Sequence, residues 1–299
     1  MAQVDNVLEL EVVTGEGQRI TCSPTRKARL FNAVLAGLGQ CALITRATVP
    51  LRRAPAMVRL FDLSYNDLQT YARDARTVVR DGRFDTVQGF VVPDTAGWRF
   101  QLQATAFFMS PATPDDDTLL TGLGDNRSEA IISDMSYFDY ANRLAPVVAD
   151  LKLLGLWSLP HPWFDVWVPD SVAEAYAGRV LANLTQTDTG GGPILLYPTR
   201  TAPFTRPLLR LPVGELAWQF DILRTSLPAA LTADLMVQAN RRLFEEVRDL
   251  GGYRYPVGAV PVSHNDWMQH FGPVWSTLAE ARQRYDPANV LTPGQGIFP

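Results

Sequence analysis

The chain has 299 residues, of which 46% are hydrophobic and 19% charged, and a net charge of -4. That length builds one large domain or two ordinary ones, and the composition is that of a soluble globular protein. The small negative balance leaves no electrostatic footprint for nucleic acid.

The opening residues 1–5 lack a basic segment leading into an apolar one, so they do not read as a secretion signal. No stretch approaches the roughly 18 apolar residues of a membrane helix, and a cytoplasmic protein is expected. His161, His264 and His270 with Cys22 and Cys41 form no metal-ligand spacing. The two cysteines are expected as free buried thiols. Lys27 and Lys152 are the only lysines. The excess of scattered arginines marks GC-rich coding, as in actinomycetes, rather than a phosphate site.

Residues 7–13 and 18–23 alternate around Thr14-Gly15-Glu16-Gly17 and predict a β-hairpin. Leu30, Phe31, Val34 and Leu35 then have helical spacing, with Thr25 as the N-cap, and 42–49 reads as a strand. From Met57 a pattern runs twice. The first pass predicts a strand over 57–64, a helix over 66–80 and strands over 84–93 and 98–109. A polar stretch follows, with helices near 115–122 and 136–148. The second pass predicts a strand over 162–168, a helix over 170–184, strands over 193–199 and 215–224, and a long helix over 229–250. Leu231, Leu235, Val237, Ala239, Leu243, Phe244 and Val247 are that helix's expected apolar face. The order predicts an α+β fold: one antiparallel sheet of six or seven strands, flanked by helices, from two βαββ-like halves.

Trp98, Trp163, Trp167, Trp218, Tyr197 and Tyr255 fall on or beside these strands. They read either as core or as the lining of a pocket for an extended apolar ligand. Trp163 and Trp167, four apart on a strand, share a face, as do Trp218 and Phe220. His264 lies in a polar loop before a helix, where Ser263 or Asn265 supplies the cap. No Gly-x-Ser-x-Gly elbow is present, and no pair of carboxylates stands out by spacing.

The closing run from Tyr285-Asp286-Pro287 through Pro293-Gly294-Gln295 to Phe298 resembles the last segment of FAD-linked oxidases of the vanillyl-alcohol-oxidase type, and of cytokinin dehydrogenases in particular. Gly37-Leu38-Gly39-Gln40, Ile44-Thr45-Arg46-Ala47, His161-Pro162-Trp163 and Gly192-Pro193-Ile194 match the family in the same order. The resemblance implies a substrate-type domain over 56–255 and a remnant of the FAD-binding domain over 1–55 and 256–299. It also implies that the family's flavin-binding half and catalytic aspartate lie upstream of this chain's matching segments. Gln88, in Val87-Gln88-Gly89-Phe90, aligns with an acidic family position. Glutamine there can donate and accept hydrogen bonds but cannot take a proton.

No Gly-rich phosphate turn or flavin-attachment histidine is found, so the expectation is a protein without a cofactor. The leading expectation is a cyclase or isomerase, of [4+2] type, folding a polyketide-like molecule in bacterial specialised metabolism. Gln88, His264 and Tyr197 would be its catalytic residues, and Trp163, Trp167, Trp218, Tyr255 and Phe90 would bind substrate. The alternatives are half of a split oxidoreductase, with FAD supplied together with a partner chain, and a non-catalytic ligand-binding protein. Val7, Leu10, Val12 and Leu43 are expected to face a partner, either a second copy or another protein.

Overall fold

The computed structural model describes residues 3–95, 97–291 and 295–298. In chain order they form β1 (Glu9–Thr14), β2 (Arg19–Cys22), α1 (Ala28–Val34), β3 (Ala42–Thr48), β4 (Met57–Tyr65), α2 (Leu68–Asp81), β5 (Thr86–Asp94), β6 (Gly97–Phe108) and α3 (Asp116–Leu120). Then follow β7 (Ile131–Ser136), α4 (Tyr137–Ala141), α5 (Ala145–Leu153), β8 (Phe164–Pro169), α6 (Ala173–Ala182) and α7 (Gln186–Thr189). Last come β9 (Ile194–Arg200), β10 (Leu216–Ile222), α8 (Ala233–Asp249), β11 (Tyr253–Arg254), α9 (His264–Phe271) and α10 (Trp275–Tyr285). They divide into two compact units, one of residues 1–52, 201–211 and 262–299, the other of 53–200 and 212–261.

In the first unit β1 lies between β2 and β3 in an antiparallel sheet. Alternation sends Leu10, Val12, Ile20 and Cys22 into one core with Phe31, Trp267, Phe271 and Leu278. Val7, Leu10 and Val12 are therefore core residues and not a partner surface; Leu43 and its neighbour Ile44 are the exposed ones. Thr25 is not the cap of α1. Ser23 Oγ accepts from the amides of Thr25 and Arg26 and turns the chain before the helix starts at Ala28. Cys22 and Cys41 are free and buried, and burial pushes their thiols up to about 11 and about 12.

The second unit holds an eight-stranded antiparallel sheet in the order β11-β8-β10-β9-β5-β6-β4-β7. The two halves of the sequence pattern meet where β5 pairs with β9. The extra strands β7 and β11 raise the count above the expected six or seven. Asp67 caps α2 by accepting from the Thr70 amide at 2.7 Å. The helix predicted over 136–148 is instead two, because Pro146 near the start of α5 cannot continue a preceding turn.

The buried face of α8 also differs from expectation. Met236, Asn240, Phe244 and Val247 point inward, while Leu235 is 47% exposed. The stripe is centred on a polar residue, which hydropathy alone does not select. Asn240 Nδ2 donates to the carbonyls of Pro162, Trp163 and Ala259, and its Oδ1 accepts from Arg224. One buried amide thus ties the entry to β8 to the segment after β11.

Candidate functional site

Strand pairing assigns every side chain of the large sheet to a face. Phe61, Leu63, Leu102, Ala104, Val91, Leu196, Trp218, Phe220, Val166 and Val168 share the face toward α2, α6 and α8. All of them are buried. At Gly89 on this side, a Cβ would overlap the Tyr71 hydroxyl, which donates to the Leu196 carbonyl. Only glycine lets α2 seat that closely.

The second face carries different chemistry. Gln88 stands opposite Gln103, and Gln103 opposite Asp62. Gln103 Nε2 donates to Asp62 Oδ2 at 3.2 Å. Across β9, β10 and β8 the same face shows Tyr197, Gln219 and Trp167 in register, then Asp221 opposite Asp165. The Tyr197 hydroxyl donates to Gln219 Oε1 at 2.9 Å, and Gln219 Nε2 donates to Asp221 Oδ2 at 2.7 Å. That chain fixes which way the Gln219 amide points. Asp62 Oδ1, Asp165 Oδ2 and Asp221 Oδ1 are buried and have no hydrogen-bond partner among the described residues.

Electrostatics follow from this burial. Desolvation raises the Asp165 carboxyl to about 7, against the opposing pull of the Arg254 charge. Desolvation, then the neighbouring Asp165, pushes Asp221 well above the carboxylate range, against the bond from Gln219. Asp62 is raised by desolvation, against its bond from Gln103. Burial likewise raises the Tyr197 and Tyr255 hydroxyls. Arg254 is drawn down to about 10 by desolvation.

The sequence-selected residues divide accordingly. Gln88, Phe90, Tyr197 and Trp167 lie on the second face, and Tyr255 meets Trp167 edge to face at 5.9 Å. Phe90 also borders a cavity of about 240 Å³ with Trp98 and Pro193. Trp163 precedes β8, is 38% exposed, and its carbonyl accepts from the Ala259 amide at 2.7 Å. Trp218 is the exception. It points to the helices, where Nε1 donates to Asp170 at 2.7 Å and Arg76 stacks on its ring. Tyr197 and Trp218 differ by one register step on paired strands, and that step reverses the face.

His264 opens α9 in the first unit, after a capping box made by Ser263. Its Nδ1–H donates to the Ile297 carbonyl at 2.7 Å, so the ring anchors the closing residues. The motif residues there are structural as well. Arg282 joins Gln40 to Asn289, Asp286 accepts from the amides of Val290 and Leu291, and Trp267 donates to the Gln295 carbonyl. Pro293 and Gly294 lie outside the described residues.

Sequence reading passed over Asp165 and Asp221, which are 56 positions apart and paired only by strand register. The signal available was a lone carboxylate inside each of two apolar strands, Phe164-Asp165-Val166 and Phe220-Asp221-Ile222. Among the described residues, no group of three or more His, Cys, Asp or Glu could hold a metal ion, and no helix is long and apolar enough to cross a membrane.

Comparison with known proteins gives the family. A profile described as cytokinin dehydrogenase 1, FAD and cytokinin binding, matches residues 114–298, more than half of the chain. The uncharacterized oxidoreductase ORF5 of the fasciation locus of Rhodococcoides fascians is 38% identical over 98% of this chain and 66% of its own length. Cytokinin dehydrogenase 9 of Oryza sativa subsp. japonica is 31% identical over 99% of this chain and 62% of its own length. The chain thus spans somewhat under two thirds of these curated relatives. The VAO-type flavoprotein MtVAO615 of Myceliophthora thermophila superimposes with a TM-score of 0.66 at 21% identity, covering 96% of this chain and 56% of that one, which shows the shared fold. These findings overturn the expected cofactor-free cyclase or isomerase, because the matching profile names FAD and the relatives are oxidoreductases and dehydrogenases. The chain belongs to the FAD-linked oxidase family of the vanillyl-alcohol-oxidase type and carries its substrate domain in a form close to that of the cytokinin dehydrogenases.

Proposed function

We propose that this chain is the substrate-binding part of a cytokinin-dehydrogenase-like, FAD-linked oxidoreductase. The observation that carries the reading is the second sheet face, a set of hydrogen-bonding side chains that includes three carboxyl oxygens without a partner among the described residues. A planar nitrogen heterocycle laid against Asp165 and Asp221, which oppose each other on β8 and β10, supplies the N–H groups that those two oxygens lack. Gln88 and Gln103 offer amide edges to its polar rim. Trp167 and Tyr255 bound the face with aromatic surface, which suits the apolar part of a ligand.

FAD, when bound, supplies the two-electron oxidation of the substrate. The described residues suit the substrate side of that arrangement and not the pyrophosphate. Gly37-Leu38-Gly39 follows α1 and leads into β3, the reverse of a strand–turn–helix phosphate cradle. The flavin phosphates therefore belong, on this reading, to the part of the relatives' length that the chain does not span. The exposed strand β3, with Leu43 and Ile44 at its surface, is the edge proposed to receive that part.

This chain's own groups then bind and orient substrate and hold protons. Gln88 positions by hydrogen bonding, since an amide takes no proton. The raised carboxyls of Asp62, Asp165 and Asp221 donate when protonated and accept when not.

The deciding experiment titrates the purified chain with isopentenyladenine, with and without added FAD, and follows tryptophan fluorescence. Saturable quenching is expected, strengthened by FAD. A flat response under both conditions would remove the reading.

A further inference from the structure

We propose that Asp165 and Asp221 together form a ligand subsite that takes the N–H or cationic nitrogen of a nitrogen base, the two carboxyls holding a single proton between them while the site is free. The proposal rests on the oxidoreductase reading only for the ligand's identity; the pair itself is a property of the strands.

The geometry comes first. Asp221 and Asp165 are directly opposed on antiparallel strands and point to one face. Such partners have Cβ atoms about 4.5–5.5 Å apart. Both residues are buried, at 1% and 3% exposure. Each keeps one oxygen, Asp221 Oδ1 and Asp165 Oδ2, without a partner among the described residues. The other Asp221 oxygen is used by Gln219. A buried carboxylate oxygen left unbonded is costly, and one on each of two opposed residues makes a hydrogen-bond demand at one place in the sheet.

The Val166 amide and Gln219 favour the charged Asp221 carboxyl, but Asp221 Oδ1 and Asp165 Oδ2 are still left without a partner among the described residues. Tyr197 is directed to Gln219, not to the pair. Arg254 is the cation nearest in effect to Asp165, and its Nη2 donates to the Gly258 carbonyl at 2.9 Å. Gly258 presses on Asp165, where an added Cβ would come within 2.9 Å of Oδ2. The hydroxyls of Tyr197 and Tyr255 complete the titratable groups that sense the pair. Two carboxyls and one guanidinium leave a net negative charge when both carboxyls ionise. Like charges at this spacing hold one proton in common, and the pair titrates as a unit. The raised carboxyl of Asp165, near 7, agrees with that behaviour. A ligand N–H that satisfies both free oxygens favours the ionised pair, so binding releases the shared proton.

The experiment has two arms, both on the full chain and its Asp165→Asn and Asp221→Asn variants. Carboxyl-carbon NMR follows the two aspartates through a pH titration, first alone and then with imidazole as a minimal nitrogen base. Calorimetry with isopentenyladenine, run near pH 7 in buffers of different ionisation enthalpy, counts released protons. The expected result is a coupled titration with one step near neutrality, loss of that step in either variant, and imidazole shifts at both carboxyls. Isopentenyladenine binding should release protons in the parent only and weaken by about tenfold in each variant. If imidazole shifts the pair while isopentenyladenine fails to bind anything, the subsite stands and the cytokinin reading falls. If both carboxyls titrate as ordinary surface acids, or neither base perturbs them, the subsite is wrong.

Discussion

The two faces of the eight-stranded sheet obey opposite rules. Toward the helices most polar atoms are answered: Trp218 by Asp170, Tyr71 by the Leu196 carbonyl, and Tyr176 by the Leu243 carbonyl, with the buried Tyr65 hydroxyl an exception. On the other face acidic oxygens are buried and left open at Asp62, Asp165 and Asp221. Stability accounts for the first arrangement. The second costs stability and is understandable only if something outside these strands completes it. A single register step separates the two kinds of chemistry, so the contrast runs through the strands from β4 to β6 and from β8 to β10.

Substitutions should therefore split by face. The largest effect is expected from Phe220→Ala, which empties part of the helix-side core. It should lower unfolding free energy by about 3–5 kcal/mol in urea titrations. An unchanged urea midpoint would show that the helix-side face is not the stabilising one.

Gln88→Ala comes next. In the assembled oxidoreductase, turnover should fall about a hundredfold, close to 3 kcal/mol of barrier, while the urea midpoint stays within error of the parent. Parental turnover would mean that β5 does not present the working face.

The pH profile sharpens the contrast further. Asp165 is raised from 3.8 to about 7, so the folded chain binds more protons than the unfolded one between those values. Its contribution is fullest in acid and is lost as pH rises toward 7, a fall of a few kcal/mol at most. Asp165→Asn should flatten urea midpoints across that window. A profile as steep as the parent's would place the titration elsewhere.

The smallest effect is expected at Trp163, which is partly exposed ahead of β8. Trp163→Ala should weaken isopentenyladenine binding severalfold and leave stability nearly unchanged, as read by calorimetry and urea titration together.

Much of this was legible in the sequence. Alternation placed the strands from β4 to β6 and from β8 to β10 within a few residues, because one face is apolar throughout and imposes a period of two. The edge strands β7 and β11 were not legible. Ile131 and Ile132 are exposed, and β11 has two residues, so neither carries a buried period. The tryptophans were found but not their faces, since Trp218 and Trp167 are distinguished only by register. The carboxyl pair was invisible for the same reason, as its members meet through strand pairing and not through sequence spacing. Asn240 escaped because an apolar stripe was sought where a buried amide organises the helix.

The central claim is that the second face of the sheet receives the ligand. Side-chain amide NMR of Gln88, Gln103 and Gln219 tests it most directly, because all three project from that face. Adding isopentenyladenine should shift all three pairs of amide resonances together and leave the Asn240 amide, buried on the helix side, in place. Shifts confined to Asn240 or to side chains of the helix-covered face, with the three glutamines unmoved, would contradict the account.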